Sequence, residues 1–179
     1  DHRPLYDWVV EHTTRDPNVV GCGIGDVEKT LSKKSGKCAD LSSVYVALAR
    51  NVGVPAREVF GLRLGKKSHQ DITGWYHCWA EFYLPGTGWV PVDPSDVRKL
   101  MLKEKKTLKE VAKEREYYFG SVDAYRIALQ YGGRGITFEP KQKSGPLNYF
   151  MYPYVEVGGK APDYYRPETV KYSVSFKAL

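Results

Sequence analysis

The spacing of apolar residues predicts several helices, most of them in the first third of the chain. In residues 3–14, Leu5, Trp8 and Val9 recur at helical spacing. A short helix is expected near residues 26–33, and residues 107–118 also show a helical pattern.

The clearest helical pattern lies in the stretch SGKCADLSSVYVALARNVGVPAR. Gly36 precedes the pattern, and Gly53 and Pro55 end it, so the helix is expected to begin near Cys38. Its apolar residues recur at steps of three and four: Leu41, Val44, Tyr45, Leu48 and Val52.

Aromatic and β-branched residues then predict strands at residues 56–64, 75–84 and 88–93. Pro85 and Gly86 mark a turn between the last two strands. Four further strands are expected in AYRIALQYG, GITFEP, YFMYPYVEV and ETVKYSVSFKAL. In the last segment one face should be half buried, because apolar and polar residues alternate: Val170, Tyr172, Val174 and Phe176 against Lys171, Ser173, Ser175 and Lys177.

Helices come first and strands later, with hairpin-like connections, so the predicted class is α+β around a largely antiparallel sheet. The 179 residues are long enough to close one well-buried core, and 42% of them are hydrophobic. We therefore expect a single domain over residues 1–179, with a β-rich part at 117–179. Neither an internal repeat nor a low-complexity tract is evident in the sequence.

The formal net charge of +6 and the 14 tyrosines raise the question of a nucleic-acid partner. The dense basic run KEKKTLKEVAKERE is interrupted by acidic and apolar residues, which is typical of a solvated helix face. We therefore expect no nucleic-acid partner.

No run of about 18 apolar residues is present in the sequence, so no membrane-spanning helix is expected in this chain. The chain begins with Asp1 rather than Met and is expected to be a processed or trimmed form. A cytoplasmic and an extracytoplasmic location both stay open, and the sequence carries no signature of an oligomeric state.

Cys38 is the first candidate for chemistry, because it lies in the first turn of the clearest helix. Unpaired backbone amides and the positive end of the helix dipole favour the thiolate there. The alternative is that Cys38 is an unreactive cysteine that packs as a small buried hydrophobic residue. The chain has an odd number of cysteines, so at least one thiol should be free.

Strand alternation over residues 75–84 places His77 and Cys78 on opposite sides. Adjacent strand residues cannot easily ligate one ion, and the cysteines and His77 lack zinc-site spacings. No metal or other cofactor is therefore expected, and Cys78 is interpreted as a core residue.

Asp93 closes the next strand, where a carboxylate is able to orient His77. An even hairpin would pair Ala80 with Asp93 and place the acid on the wrong side. A one-residue offset would pair Trp79 with Asp93 and bring the acid diagonal to His77. We therefore predict the offset register, with a bulged, glycine-containing turn.

Two segments, SGKCADLSSVYVALARNVGVPAREVFG and WYHCWAEFYLPGTGWVPVDPSD, resemble motifs of the transglutaminase-like superfamily of papain-like cysteine enzymes. These motifs are G-x-C-x-D with G-[IV]-P-A-R, and H-x-W-x-E-x-[WY] followed by GW-x-x-[LV]-D-P. The resemblance covers residues 36–96, and YYFGSVDAYRI and GPLNYFMYPYVEVGGK are similar to the tail of bacterial and archaeal members. It implies a nucleophile helix packed on an antiparallel sheet.

The resemblance further implies Cys38 as nucleophile, His77 as base and Asp93 as orienting acid. Such a triad transfers an acyl group from a peptide or amide through a thioester. Water as acceptor would make the protein a cysteine peptidase or amidase, which we favour, and an amine would make it a transglutaminase. A catalytically inactive binding or scaffold module is the other alternative.

Three aromatic residues, Trp75, Tyr76 and Trp79, are candidates to line the substrate cleft, with plain packing as the alternative. The backbone amide of Cys38 is a candidate oxyanion donor, and Trp8 and Tyr76 are candidate side-chain donors. The expected partner is thus a protein or peptide substrate.

Overall fold

The computed structural model describes residues 2–178 and is built around a four-stranded antiparallel sheet. The helices are α1 (Arg3–His12), α2 (Val27–Lys33), α3 (Cys38–Asn51), α4 (Pro94–Glu104) and α5 (Ala112–Tyr117). The strands are β1 (Thr14–Arg15), β2 (Ser35–Gly36), β3 (Ala56–Arg63), β4 (His69–Asp71), β5 (Tyr76–Leu84), β6 (Gly88–Val92), β7 (Arg126–Tyr131) and β8 (Ser175–Lys177).

The central sheet has the strand order β6-β5-β3-β7, and all its neighbours are antiparallel. Two small ladders lie outside it: β1 pairs with β2 in parallel, and β4 pairs with β8 antiparallel. The predicted α+β class with a largely antiparallel sheet is therefore confirmed.

Helix α3 packs on the central sheet, because its apolar stripe meets the inward face of β5. Leu41 and Val44 are fully buried on the helix, and Ala80 and Phe82 belong to the same core cluster from the strand. Burial of each of the larger side chains, Leu41, Val44 and Phe82, stabilises the fold by about 1.5–3 kcal/mol. Removal of this apolar surface from water holds the first residue of α3 at a fixed place beside the sheet.

The hairpin of β5 and β6 has the predicted offset register. Ala80 lies opposite Val92, and Leu84 lies opposite Gly88, so the same ladder would place Trp79 across from Asp93. A three-residue loop gives this offset, with a turn closed by the Thr87 amide donating to the Leu84 carbonyl at 3.0 Å. Gly86 in the loop and Gly88 at the start of β6 both have positive φ.

Helix α4 was not predicted, and the helix expected at 107–118 is limited to Ala112–Tyr117. The sequence does carry the start signal of α4. Asp93 is its N-cap and accepts a hydrogen bond from the Asp96 amide at 2.9 Å, and Pro94 occupies the first helical position.

Fewer strands form after residue 117 than the alternation predicted. Strand β7 is present, but GITFEP forms only an isolated bridge between Ile136 and Leu147, and YFMYPYVEV forms no strand. Side chains replace the ladder there: the Tyr164 hydroxyl accepts from the amides of Met151 and Tyr152, each at 3.0 Å. Backbone groups satisfied in this way need no partner strand.

The last predicted strand is short, Ser175–Lys177, yet its predicted faces are confirmed. The apolar set is partly buried and the polar set is exposed, as the alternation required: Val170, Tyr172, Val174 and Phe176 against Lys171, Ser173, Ser175 and Lys177. Among residues 2–178, no helix combines the length and hydropathy that crossing a bilayer requires.

Close packing at Gly61 generates a stability prediction. A Cβ at this position would lie 2.2 Å from the Ile127 carbonyl oxygen and 3.1 Å from the Trp79 ring. We expect Gly61→Ala to lower the free energy of unfolding by about 3 kcal/mol, the upper end for overpacked sites, as measured by urea denaturation. Thr87→Ala in the exposed hairpin loop is the control and should change it by less than about 0.5 kcal/mol. Equal stability of the two variants would contradict the tight fit.

Candidate active site

Cys38 is the first residue of α3, and its position is fixed by Asp40, two residues later in the same first turn. The Asp40 carboxylate accepts hydrogen bonds from the Lys37 and Gly25 amides, both at 2.9 Å. Gly23 leaves room for this carboxylate, since a Cβ there would lie 2.1 Å from Asp40 Oδ2. Asp40 thus ties the start of the helix to the preceding loop. Its negative charge also interacts favourably with the positive end of the helix dipole.

Three thiols meet at this helix start. The sulfurs of Cys22, Cys38 and Cys78 lie within 4.8 Å of one another, and all three cysteines are free and buried. The Cys22 carbonyl accepts a hydrogen bond from the Ala39 amide at 2.9 Å, which holds Cys22 against the helix. Cys78 is a core residue, as expected.

The thiol pKa values diverge within this cluster. Hydrogen bonds from Cys22 and Cys78, followed by the hydrogen bond and positive charge of His77, lower the pKa of Cys38 well below its usual value against the effect of burial. The pKa of Cys22 is raised by its hydrogen bond with Cys38, and burial raises the pKa of Cys78. Cys38 is therefore the thiol of the cluster that loses its proton most readily.

His77 and Asp93 form a direct hydrogen-bonded pair. His77 Nε2 lies 2.6 Å from Asp93 Oδ2, and both side chains are buried. The offset hairpin register brings them together, because it turns the end of β6 towards the imidazole side of β5. With Nε2 engaged by the carboxylate, Nδ1 is the ring nitrogen left free for another partner.

A buried ion network supports Asp93, and the sequence analysis missed it. Arg126 donates to Asp93 Oδ2 at 2.6 Å and to Asp96 Oδ2 at 2.9 Å, and it also pairs with Asp123 at 2.7 Å. Arg63 pairs with the other oxygen of Asp96. The only hint in the sequence is the D-x-x-R spacing of Asp123 and Arg126 ahead of a predicted strand, which identifies a local pair but not its distant partners.

These charges set the protonation of the pair. Burial alone would lower the pKa of His77, but the negative charges of Asp93 and Asp96 outweigh it and raise that pKa above its ordinary value. Burial would raise the pKa of Asp93, but the positive charges of His77 and Arg126 hold it well below its usual range. The site therefore favours a charged imidazolium beside an ionised carboxylate.

A cavity of about 980 Å³ is lined by both Cys38 and His77. Of the aromatic residues proposed for the cleft, Trp75 and Tyr76 line this cavity. Trp79 does not act as a lining residue: it is 5% exposed, its ring stacks on His77 at 6.2 Å between centroids, and the Arg126 guanidinium lies over it. Trp79 packs behind the imidazole because its side chain points from β5 towards Gly61.

The three candidate oxyanion donors differ in whether they lie at this cavity. The Cys38 amide is at the start of α3, where no residue four positions earlier in the helix accepts from it. Tyr76 lines the cavity, and its ring packs edge-on against Tyr152 at 4.7 Å. Trp8 instead stacks on His12 and packs against the main core, so it is not a donor for this site.

Two clusters among residues 2–178 have donor atoms close enough to hold a metal ion. One is the three thiols, a soft donor set. The other is His77, Asp93 and Asp96, whose carboxylates are already paired with arginines. That positive charge opposes a second cation, so hydrogen bonding explains the second cluster more simply.

A helix-borne cysteine facing a histidine–aspartate pair on an antiparallel sheet defines a papain-like arrangement. Residues 2–94 match the family model described as the transglutaminase-like superfamily, which is just over half of the chain. The chain belongs to the transglutaminase-like superfamily.

Among its relatives, a protein of Haemophilus influenzae described only as uncharacterized is 40% identical over 196 aligned residues, which is 98% of this chain and 53% of that protein. A protein-glutamine gamma-glutamyltransferase of Pseudomonas aeruginosa is 29% identical over 92 residues, which is 47% of this chain and 13% of that protein. The chain thus spans about half of the first relative and less of the second.

A solved structure, the periplasmic domain of TgpA from Pseudomonas aeruginosa, aligns with a TM-score of 0.41 at 23% identity. That alignment covers 61% of this chain and 40% of the TgpA domain.

The ion network predicts a large effect of Arg126→Met on stability. The variant keeps most of the apolar volume but leaves three carboxylates without this partner, so we expect a loss of about 3–5 kcal/mol in urea denaturation at neutral pH. Arg126→Lys keeps one positive charge and should lose less. Equal losses would show that the charge of Arg126 does not matter.

The same network predicts an acid transition. Because the folded-state pKa of Asp93 is lowered, its contribution to stability is present above about pH 4 and is lost as the pH falls towards that lowered pKa. The Arg126→Met variant should show a smaller change in stability over this acid range.

The thiol cluster predicts which cysteine reacts with iodoacetamide. Cys38 should be alkylated faster than Cys22 and Cys78 in the folded protein, with a rate that rises at a pH below the ordinary thiol pKa. Peptide mapping at each pH identifies the labelled residue. Cys22→Ala removes a hydrogen bond to the Cys38 thiolate and should move the inflection to higher pH. Alkylation of Cys38 no faster than Cys22, without an inflection below about pH 8, would refute an activated Cys38.

Proposed function

We propose that the protein transfers acyl groups from peptide or amide substrates through Cys38, His77 and Asp93, and that water is the usual acceptor. The activity would be that of a cysteine peptidase or amidase. One observation carries the proposal: His77, held 2.6 Å from Asp93, shares a cavity with a cysteine at a helix start.

Before the first half of the reaction, His77 Nδ1 has taken the proton of the Cys38 thiol, and the thiolate of this ion pair then attacks the amide carbonyl. The Cys38 backbone amide donates to the oxyanion as it forms. The imidazolium then gives its proton to the leaving amine, the C–N bond breaks, and a thioester remains on Cys38.

In the second half, a water molecule loses a proton to His77 and attacks the thioester. The C–S bond breaks, the carboxylic acid leaves, and the Cys38 thiolate faces the imidazolium again. Asp93 keeps the imidazole in one orientation and stabilises its charged form through both steps, and Arg126 in turn holds Asp93.

An amine acceptor is the second candidate, because the thioester is common to both reactions. The observation that favours it is the similarity to the Pseudomonas aeruginosa relative named protein-glutamine gamma-glutamyltransferase. In that case a lysine or another primary amine would replace water, and an isopeptide bond would replace the free acid.

Incubation with a peptide library, with and without a fluorescent primary amine, tests the proposal. We expect new peptide ends without the amine, and mass spectrometry would show amine-labelled peptides if the second candidate holds. Cys38→Ala should reduce either product by at least about 10³-fold. Asp93→Asn should reduce it by about 10²–10⁴-fold, because the imidazole loses its partner.

Thr87→Ala is the control, since it changes an exposed residue of the hairpin loop that the mechanism does not use. Thermal melts of all variants check that they fold. A library that remains unchanged, together with an unreactive Cys38 in the folded protein, would favour an inactive binding or scaffold module instead.

A further inference from the structure

The lining of the cavity beside Cys38 is predominantly positively charged. Its lining has six basic residues and a single acidic residue among the residues described: Arg15, Lys37, Arg63, Lys99, Lys103 and Lys171 against Glu168. A second cavity, of about 290 Å³, is mixed, with four acids and three bases: Asp16, Asp26, Asp40 and Asp163 with Lys29, Lys33 and Arg166. The excess of cations is therefore a property of the cavity that holds the nucleophile.

The protein's own acids do not neutralise this excess. Arg63 is paired with Asp96, but the other five basic residues of the lining form no ion pair with any acidic side chain of residues 2–178. Glu168 is itself paired with Arg166, at 3.9 Å. A positive field thus faces the space that a substrate would fill.

The cations also lie close enough to affect one another and Cys38. Burial and the charges of Arg63 and Arg15 lower the pKa of Lys99, whereas the negative charges of Asp96 and Cys38 act in the opposite direction. Lys99 and Lys103 are four residues apart on α4, so they share one face of that helix. Like charges gathered without a partner cost free energy that a bound anion would recover.

We propose that the substrate is an acidic peptide, whose carboxylates are bound by Lys99, Lys103 and Arg15 next to the amide that Cys38 attacks. The inference rests on the proposed function for the amide. Carboxylates are the anionic groups that peptides carry, from aspartate, glutamate and the chain end. Lys37 and Lys171 also line the cavity and extend the same field.

The first test uses two alkylating agents of similar size and needs no turnover. Iodoacetate is an anion and iodoacetamide is neutral, and the ratio of their rates at Cys38 is compared with the ratio for 2-mercaptoethanol. We expect iodoacetate to be favoured by about three- to tenfold at low ionic strength, with the preference falling as salt is added.

The variant Lys99→Gln/Lys103→Gln should abolish most of this preference while iodoacetamide still reacts. Lys29→Gln/Lys33→Gln is the matched control: it removes the same charge, at the same spacing, from the helix beside the second cavity. Lys103→Gln alone changes an exposed residue and should give a partial effect even if the double variant folds poorly. An unchanged ratio in the folded variants would overturn the proposal.

The second test is protection of Cys38 from iodoacetamide by added ligands. Tetraglutamate should slow alkylation, and tetra-alanine and tetralysine should not. Equal protection by tetra-alanine, or protection by a single-stranded octathymidylate but not by tetraglutamate, would overturn an acidic peptide as substrate. If the proposed function fails, the library shows no product, yet the alkylation ratio still reports the charge preference.

Discussion

The site depends on gathering three carboxylates, two of them buried, around one guanidinium. Asp93, Asp96 and Asp123 all contact Arg126, whose side chain is 3% exposed. A buried charge without partners is costly, so this cluster is stable only when every member is in place. The orientation of His77 is a result of that requirement, since the imidazole shares a carboxylate oxygen with Arg126.

The same requirement explains why distant parts of the chain meet at one point. Asp93 uses one oxygen to cap α4, through the Asp96 amide and the Ser95 hydroxyl, and the other oxygen to bind His77. A shift of the hairpin by one residue would move Asp93 away from His77, whereas the cap of α4 is local to residues 93–96 and would move with it. Gly61, directly opposite His77 in the ladder, allows β7 to approach closely enough for Arg126 to reach the cluster.

The sequence was sufficient for the elements whose residues lie close together along the chain. The helix that begins at Cys38, the hairpin and its offset register follow from local periodicity and turn chemistry. Arg126 did not follow, because its partners Asp93 and Asp96 are about thirty residues away and one of them lies on a helix that was not predicted. Trp79 shows a related difficulty. The alternation along β5 predicts which face of the sheet its side chain lies on, but not whether that face is covered by other side chains or borders the cavity.

The tail beyond residue 117 was predicted less well because side chains, rather than a ladder, satisfy its backbone. A period-two pattern reports which face is buried, and it did so for residues 170–177, but it does not report whether a partner strand is present. Tyrosine hydroxyls are able to replace the missing strand without changing that pattern.

The Tyr152 hydroxyl accepts a hydrogen bond from the Cys22 amide at 2.9 Å, and so the tail reaches the loop that contacts Cys38. The match to the superfamily ends at residue 94, well before Arg126 and Tyr152. A chimera that grafted only residues 36–96 onto another scaffold would therefore import the sulfur, the imidazole and the carboxylate without the guanidinium and phenol that hold them. The transplantable unit of this site is larger than its sequence signature.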